Sequence, residues 1–235
     1  MAFGQNLTND IVGWHPRYEN DRVRFTVSDE EEHYATEIRI PGAFSLYNAL
    51  GALTALKALG VPLEDAAKAL PDCAGVRGRC EVVPTNTGYT VLIDYAHTPD
   101  GLKNILETVC GFAENRVLLV FGCGGDRDRT KRPIMGRIAA ELSDVVIVTS
   151  DNPRSENPEA ILDEVMAGVK ETIGTKAHDR IADRRDAILT AIAMAGRGDT
   201  GVIAGKGHED YQILATGTIH FDDREVAREA LGGII

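Results

Sequence analysis

Residues 89–122, YTVLIDYAHTPDGLKNILETVCGFAENRVLLVFG, hold one complete strand–loop–helix–strand passage. Residues 89–93 are apolar and β-prone, and Thr98-Pro99 supplies an N-cap and a first-turn proline for a helix running towards Cys110. Residues 117–121 form the next short apolar run. The order then recurs. A glycine- and charge-rich loop leads to a helix predicted over residues 133–142, and residues 145–149 read as the next buried strand. Asn157-Pro158-Glu159 spells cap, proline and acidic first turn for a helix to about Glu171. A helix over residues 184–195 leads into a strand at 202–204, a hairpin is predicted around Gly217, and a last helix opens at Asp222. Glu225, three residues on, completes the pattern of a capping box. Short apolar strands alternating with helices predict an α/β fold, Rossmann-like, with a mostly parallel sheet covered on both faces.

Upstream the pattern differs. Val23, Phe25 and Val27 alternate with polar residues, as do Ile38 and Ile40 with Glu37 and Arg39, and residues 28–32 supply a polar turn, so the first forty residues read as β structure. Pro41-Gly42 breaks the alternation. Residues 45–59, rich in Ala and Leu, predict a buried helix ending at Gly60, and residues 62–70 a second short helix stopped by Pro71. Residues 72–78 then read as a domain junction, which gives two expected domains, 1–78 and 79–235.

Composition narrows the classes. With 43% hydrophobic and 26% charged residues the chain has the balance of a soluble globular protein, and its net charge of −11 argues against nucleic acid or an anionic membrane as the main partner. No apolar run approaches the roughly 20 residues of a membrane span. The opening MAFGQNLTND lacks a basic start followed by an apolar stretch, so no secretory signal is expected. The four cysteines show no paired spacing of zinc or redox type, and the six histidines form no helical pair with a carboxylate. Reduced thiols, no catalytic metal within the chain, a cytoplasmic location and a monomer are the expectations.

In sheets of this kind ligands sit on the loops beyond the carboxyl ends of the strands. Those loops are Asp94-Tyr95-Ala96-His97 and residues 122–132, 150–154 and 205–210, all rich in charge and glycine. The loop FGCGGDRDRTKRP sets Gly122, Gly124 and Gly125 beside Arg127, Arg129, Lys131 and Arg132, a mixture that lets backbone approach a ligand and guanidinium groups grip carboxylates or phosphates. No Gly-Lys-Ser/Thr follows, so it is not a phosphate-binding P-loop. In SDNPRSENP, Asn152 precedes Pro153 and is biased to an extended conformation that can aim Asp151 and Arg154 at one ligand. A carboxylate with a guanidinium suits a zwitterion. In AGKGHEDYQ the glycines free backbone groups, Glu209 can take a second ammonium, and His208 reads as structural. Asp94, at a strand end, suits a ribose hydroxyl.

Six strings in order, PGAFSLYNALGA, GVRGRCEVV, VLIDYAHTPDGL, FGCGGDRDRTKRP, VTSDNPRSENPE and AGKGHEDYQ, resemble the Mur ligase family from about residue 40 to 212. The resemblance implies an ATP-dependent amide-bond ligase that adds meso-diaminopimelate to UDP-N-acetylmuramoyl-L-alanyl-D-glutamate in peptidoglycan precursor synthesis. It implies that residues 1–78 are the end of a central ATPase domain and that 79–235 are the amino-acid-binding domain. By the same resemblance Arg127, Asp151, Asn152, Pro153, Arg154, Gly205 and Glu209 form the diaminopimelate site. Arg154 is expected to hold the second carboxylate that lysine lacks. Asn48 is expected at adenine, Arg79 at the ATP phosphates, Asp94 at the ribose, and His97, in the same hinge loop, also at the nucleotide. The family's P-loop, its Mg2+ ligands, its carbamylated lysine and its UDP-sugar domain have no counterpart in these residues. The chain alone is therefore expected to be inactive, and a stand-alone amino-acid-binding module is the alternative.

Overall fold

The computed structural model describes residues 1–172, 174 and 176–232. The chain divides into two compact units, Met1–Gly75 and Val76–Ile235. In the first, strands β1 (Phe3–Gly4), β2 (Ile11–Tyr18), β3 (Val23–Ser28) and β4 (His33–Ile38) form one sheet in that order, antiparallel except for the β1–β2 pair. Alternation decides which face of β3 is covered: Val23, Phe25 and Val27 are buried and Arg24 is exposed. The polar turn after Ser28 is an Asx turn, with the Asp29 carboxylate accepting from the amides of Glu31 and Glu32 at 3.0 and 2.8 Å. Helices α1 (Ala43–Ala58) and α2 (Leu63–Ala69) bring Leu46, Leu50, Leu53 and Leu63 onto Ile11, Val23, Phe25 and Ile38. Gly60, at φ 87, ends α1 in a Schellman motif: its N–H is donated to Lys57 O and that of Val61 to Leu56 O.

The second unit runs β5 (Glu81–Val83), β6 (Thr90–Asp94), α3 (Pro99–Cys110), β7 (Val117–Phe121), α4 (Lys131–Leu142), β8 (Val145–Val148), α5 (Pro158–Thr172), β9 (Ala177–Arg180), α6 (Arg184–Met194), β10 (Thr200–Ala204), β11 (Tyr211–Leu214), β12 (Gly217–His220) and α7 (Asp223–Ala230). The main sheet has the order β5-β6-β10-β7-β8-β9, parallel except for β5, while β11 and β12 form a separate hairpin. Val91, Ile93, Leu118, Val120, Val145, Ile147 and Ile203 pack with α6 and α7. The intervening buried residues Leu92, Leu119, Val146 and Val202 face the other way by strand geometry, and β8 meets α4 and α5 as well as α6. The mostly parallel sheet expected from the sequence is present. Because β10 returns between β6 and β7, the strand order reverses there, and a crevice opens at the carboxyl ends.

Several boundaries differ from the sequence reading. Helix α4 starts two residues before Pro133, since a proline in the first turn removes only an N–H that has no helical partner. Asp222 does cap α7, accepting from the Arg224 amide at 2.8 Å. Glu225 does not complete the capping box; it accepts from His220 at 2.6 Å instead. Ile40 lies beyond the end of β4. Strands β5 and β9 were not expected. Both lie at sheet edges, and the sequence of β9, AHDR, is mostly exposed and carries no apolar alternation. No helix among the described residues is long and apolar enough to cross a membrane.

Helices α4 and α5 touch through their backbones. A Cβ on Gly136 would lie 2.2 Å from Val165 O, and one on Gly168 would lie 1.9 Å from Pro133 O. Gly168→Ala is therefore expected to destabilise by about 1–3 kcal/mol through overpacking. Gly201→Ala, whose methyl would meet nothing nearer than 3.7 Å, is expected to stay within about 1 kcal/mol of the parent. Thermal unfolding followed by circular dichroism measures both, and equal shifts would mean that the helix contact is not close-packed.

Candidate functional site

The parallel strands deliver four loops to one end of the sheet, and a cleft of about 460 Å³ lies among them. Its wall is drawn from every one of those loops: Tyr95, His97 and Thr98 after β6, Gly124, Arg127, Asp128 and Lys131 around the loop after β7, Asp151, Asn152 and Arg154 after β8, and Gly205 and Glu209 after β10. Tyr211, at the start of β11, completes it. Of the residues the sequence singled out for the diamino acid, all but Pro153 line the cleft. Pro153 is buried beside it and contributes backbone. His97, expected at the nucleotide, shares the same cleft.

Glycines in these loops serve a different purpose from the one the sequence suggested. A Cβ on Gly122 would lie 2.3 Å from Thr149 O, and one on Gly125 would lie 1.9 Å from Pro153 O. The loops after β7 and β8 thus approach each other backbone to backbone, and the Gly125 amide donates to Asn152 O at 2.9 Å. Of the three glycines only Gly124 lines the cleft, and a Cβ there would meet Arg154 Nη1 at 2.9 Å.

The basic loop is sorted by burial. Arg132 is fully buried, and its guanidinium donates to both oxygens of Glu156 at 2.8 and 2.9 Å, to Glu164 at 2.8 Å and to Gly124 O at 3.2 Å. Arg129 pairs with Glu164, and Lys131 donates to His97 O at 2.7 Å. These cations anchor the loop. Arg127 donates only to Asp126 O at 3.0 Å, and Arg154 only to Gly125 O at 2.8 Å and Asn152 O at 3.4 Å, both through Nη1. Among the described residues, the Nε and Nη2 donors of these two guanidinium groups are unspent.

The acidic side of the cleft is deeper. Asp151 is 7% exposed, and its Oδ1 has no hydrogen-bond donor among the described residues. Burial pushes its carboxyl above the ordinary value, opposed by Arg184 and then Lys206. Asn152, expected to touch a ligand, has its carboxamide committed: Oδ1 accepts from Lys206 at 3.2 Å and from the Ile213 amide at 2.9 Å, and Nδ2 donates to Glu209 at 2.9 Å. It orders the loop more than it offers a free group. Arg184 and Asp223, both fully buried, pair at 2.7 Å just beneath, with Arg184 also donating to Ser150 O and Ala204 O.

Asp94, Arg79 and Asn48, also expected at the nucleotide, are not part of this wall. Asp94 accepts from the amides of Cys80 and Ala96, each at 2.8 Å, and burial pushes its carboxyl up. Arg79 lies 5.0 Å over the Tyr95 ring, which also meets the rings of His97 and His208. Asn48 is exposed on α1, in the first unit. Among the described residues no group of three or more His, Cys, Asp and Glu side chains is arranged for a metal. Burial pushes the thiols of Cys80 and Cys123 up to about 12, which leaves both poor nucleophiles. Tyr211 was missed as a wall residue because it reads as an ordinary strand residue. Tyr95 and Asp128, also on the wall, carry no sequence signal beyond lying in charge-rich loops.

Residues 78–207 match the family described as Mur ligase, glutamate ligase domain. A Clostridium botulinum protein named UDP-N-acetylmuramoyl-L-alanyl-D-glutamate–2,6-diaminopimelate ligase is 49% identical over 233 residues, 98% of this chain and 47% of that relative. A protein of the same name from Gloeobacter violaceus is 58% identical over 191 residues, 81% of this chain and 38% of the relative. A solved structure of a protein so named superposes with a TM-score of 0.79 at 36% identity, covering 97% of this chain and 46% of the other. The chain thus spans about half the length of these relatives, or less.

The anchoring of the basic loop has a pH signature. Hydrogen bonds from Arg132 hold the Glu156 carboxyl down at about 2, against an ordinary 4.5. A depressed carboxyl contributes stability that is complete above its unfolded value and is lost as pH falls through the folded one. The stability difference between the parent and Glu156→Gln should therefore be full at pH 5 and above and close as pH falls from 4.5 towards 2. Urea unfolding at stepped pH measures it. A gap that stayed constant would show that ionised Glu156 does not hold the loop.

Proposed function

The chain belongs to the Mur ligase family, and from that premise we propose that it is the amino-acid-binding part of an ATP-dependent amide-bond ligase. In this reading the ligase adds meso-diaminopimelate to UDP-N-acetylmuramoyl-L-alanyl-D-glutamate in peptidoglycan precursor synthesis, as a cytoplasmic monomer. The observation that carries it is the Asp151 carboxylate, whose buried Oδ1 faces Lys206 at 3.6 Å and whose Oδ2 accepts no hydrogen bond among the described residues, in the same cleft as two guanidinium groups with donors to spare. A ligand ammonium satisfies the first and a ligand carboxylate the second, so the cleft is complementary to an amino-acid zwitterion.

Diaminopimelate carries such a zwitterion at each end. Gripping one end between Asp151 and Glu209 on the acidic side and Arg154 and Arg127 on the basic side leaves the far amine as the nucleophile. Gly205 brings backbone close to that end, and Pro153 and Asn152 fix the loop. Arg154 then reads the carboxylate that lysine lacks. Asn48, Arg79, Asp94 and His97 are assigned to the nucleotide, with 1–78 as the end of the central domain and 79–235 as the amino-acid domain. Bound ATP would supply the phosphoryl group that activates the acceptor carboxyl. The residues of the cleft bind and orient the amine.

Titration calorimetry of the chain tests this. Meso-diaminopimelate should bind more tightly than lysine, and Arg154→Ala should remove the preference at a cost of about 2–5 kcal/mol, the range for truncating one member of a buried charge pair. Equal affinity of the parent for both ligands would overturn the assignment. Because the 235 residues contain no Gly-Lys-Ser/Thr loop, the purified chain should release no phosphate from ATP in response to diaminopimelate. Release above background would contradict the nucleotide half of the reading.

A further inference from the structure

Lys206 is fully buried, an unusual position for an ammonium group, and neither composition nor motif assigned it a role. It follows Gly205 at the end of β10 and reaches three groups of the cleft: Asn152 Oδ1 at 3.2 Å, Glu209 Oε2 at 3.3 Å and Asp151 Oδ1 at 3.6 Å. Its Nζ also lies 5.5 Å over the Tyr211 ring. Among the described residues Lys206 is the one cation within 4 Å of both Asp151 and Glu209.

Charge counting gives the arrangement a meaning. Beneath the cleft the buried cations are Lys206 and Arg184, and the carboxylates around them are Asp151, Glu209 and Asp223. Two positive and three negative charges leave one negative charge uncompensated, which one ligand ammonium would balance. Without Lys206 the deficit is two. Neighbouring carboxylates in a poorly solvated site cannot both stay ionised against such an excess, and one of them takes up a proton.

We infer that Lys206 is a positioning residue that keeps the Asp151 carboxylate charged and aligned with Glu209, leaving room for a single ligand ammonium. The inference rests on the amino-acid reading of the cleft given above. Other groups face the pair from each side. Arg184 of α6 opposes the rise of the Asp151 carboxyl ahead of Lys206, but it is paired with Asp223 of α7 and makes no hydrogen bond or ion pair with Asp151 or Glu209 among the described residues. The loop after β8 adds Arg154, the start of β11 adds the Tyr211 phenol, and the loop after β6 adds His97. Around the loop after β7, Arg127 and Lys131 oppose Asp128. None of these replaces an ammonium wedged between the two carboxylates.

The test compares the parent chain with Lys206→Met, which keeps most of the side-chain volume, in calorimetric titrations with meso-diaminopimelate from pH 6 to 8.5. The parent should bind with little change over that range. Lys206→Met should bind at least ~30-fold more weakly at pH 6 and recover by up to about tenfold per pH unit as Asp151 ionises. Adding Asp151→Asn to Lys206→Met should abolish that recovery, because the repulsion is gone. A weakening in Lys206→Met that is the same at every pH would overturn the inference and leave a packing role. Failure of the parent to bind at all would instead overturn the amino-acid reading. Should Lys206→Met not fold, Lys206→Gln takes its place at pH 6, titrated beside the parent in two buffers of different ionisation enthalpy. Lys206→Gln should release a proton on binding and the parent none, and no release from Lys206→Gln would overturn the inference.

Discussion

Where the loops after β7 and β8 meet, a methyl group is already too large. Gly122 and Gly125 lie against the carbonyls of Thr149 and Pro153 so closely that backbone fills the whole space. The parallel register aligns the carboxyl ends of the strands, and this contact then locks two of the four loops into one wall. The cleft follows from both facts. Strand order brings the loops near one another, and the glycine contact lets Arg154 lie beside Gly124 and within reach of Gly125 O. The same economy appears behind the wall, where Gly136 and Gly168 let α4 and α5 touch.

Charge is distributed over this frame by burial. Arg132 and Arg184 have fully buried side chains and hold carboxylates and carbonyl oxygens in fixed places. Such buried pairs contribute little net stability relative to well-packed apolar residues, yet breaking one costs several kcal/mol because the survivor is left uncompensated. Their value here is geometric, since each fixes a loop end that turns and glycines alone would leave free to move. Arg127 and Arg154 keep donors unspent, and the Asp151 carboxylate, its Oδ1 turned to Lys206, accepts no hydrogen bond among the described residues. An incomplete set of partners on both sides of a cleft is what a ligand with both kinds of charge can complete.

The second unit's architecture was legible because the apolar strands and the proline-capped helices repeat one pattern, and the strand-end rule then located the cleft. Edge strands β5 and β9 were not legible, since an edge strand needs no continuous apolar sequence. Within the site, the charged residues were visible and their division of labour was not. Arg132 and Arg127 look alike in FGCGGDRDRTKRP, and only the positions of Glu156 and Glu164 on and before α5 decide which is an anchor. Asn152 lines the cleft, but spacing cannot reveal that Lys206, Glu209 and Ile213 occupy its carboxamide. Glu225 matched a capping box until the hairpin brought His220 to it.

Arg154 concentrates these constraints at one residue. Its φ is 53, the left-handed region, which costs a residue with a Cβ roughly 1–2 kcal/mol. Glycine would avoid that cost but would carry no guanidinium. Two hydrogen bonds offset the strain: the Arg154 amide donates to Ile213 O at 3.0 Å, and Nη1 donates to Gly125 O at 2.8 Å. Both acceptors lie on neighbouring segments, β11 and the loop after β7, so the strained conformation persists only while those segments stay in place. The guanidinium is thus aimed by the surrounding fold and not by its own backbone preference. A strained backbone that puts a charged group on a cleft wall makes physical sense when that group has a ligand to meet there.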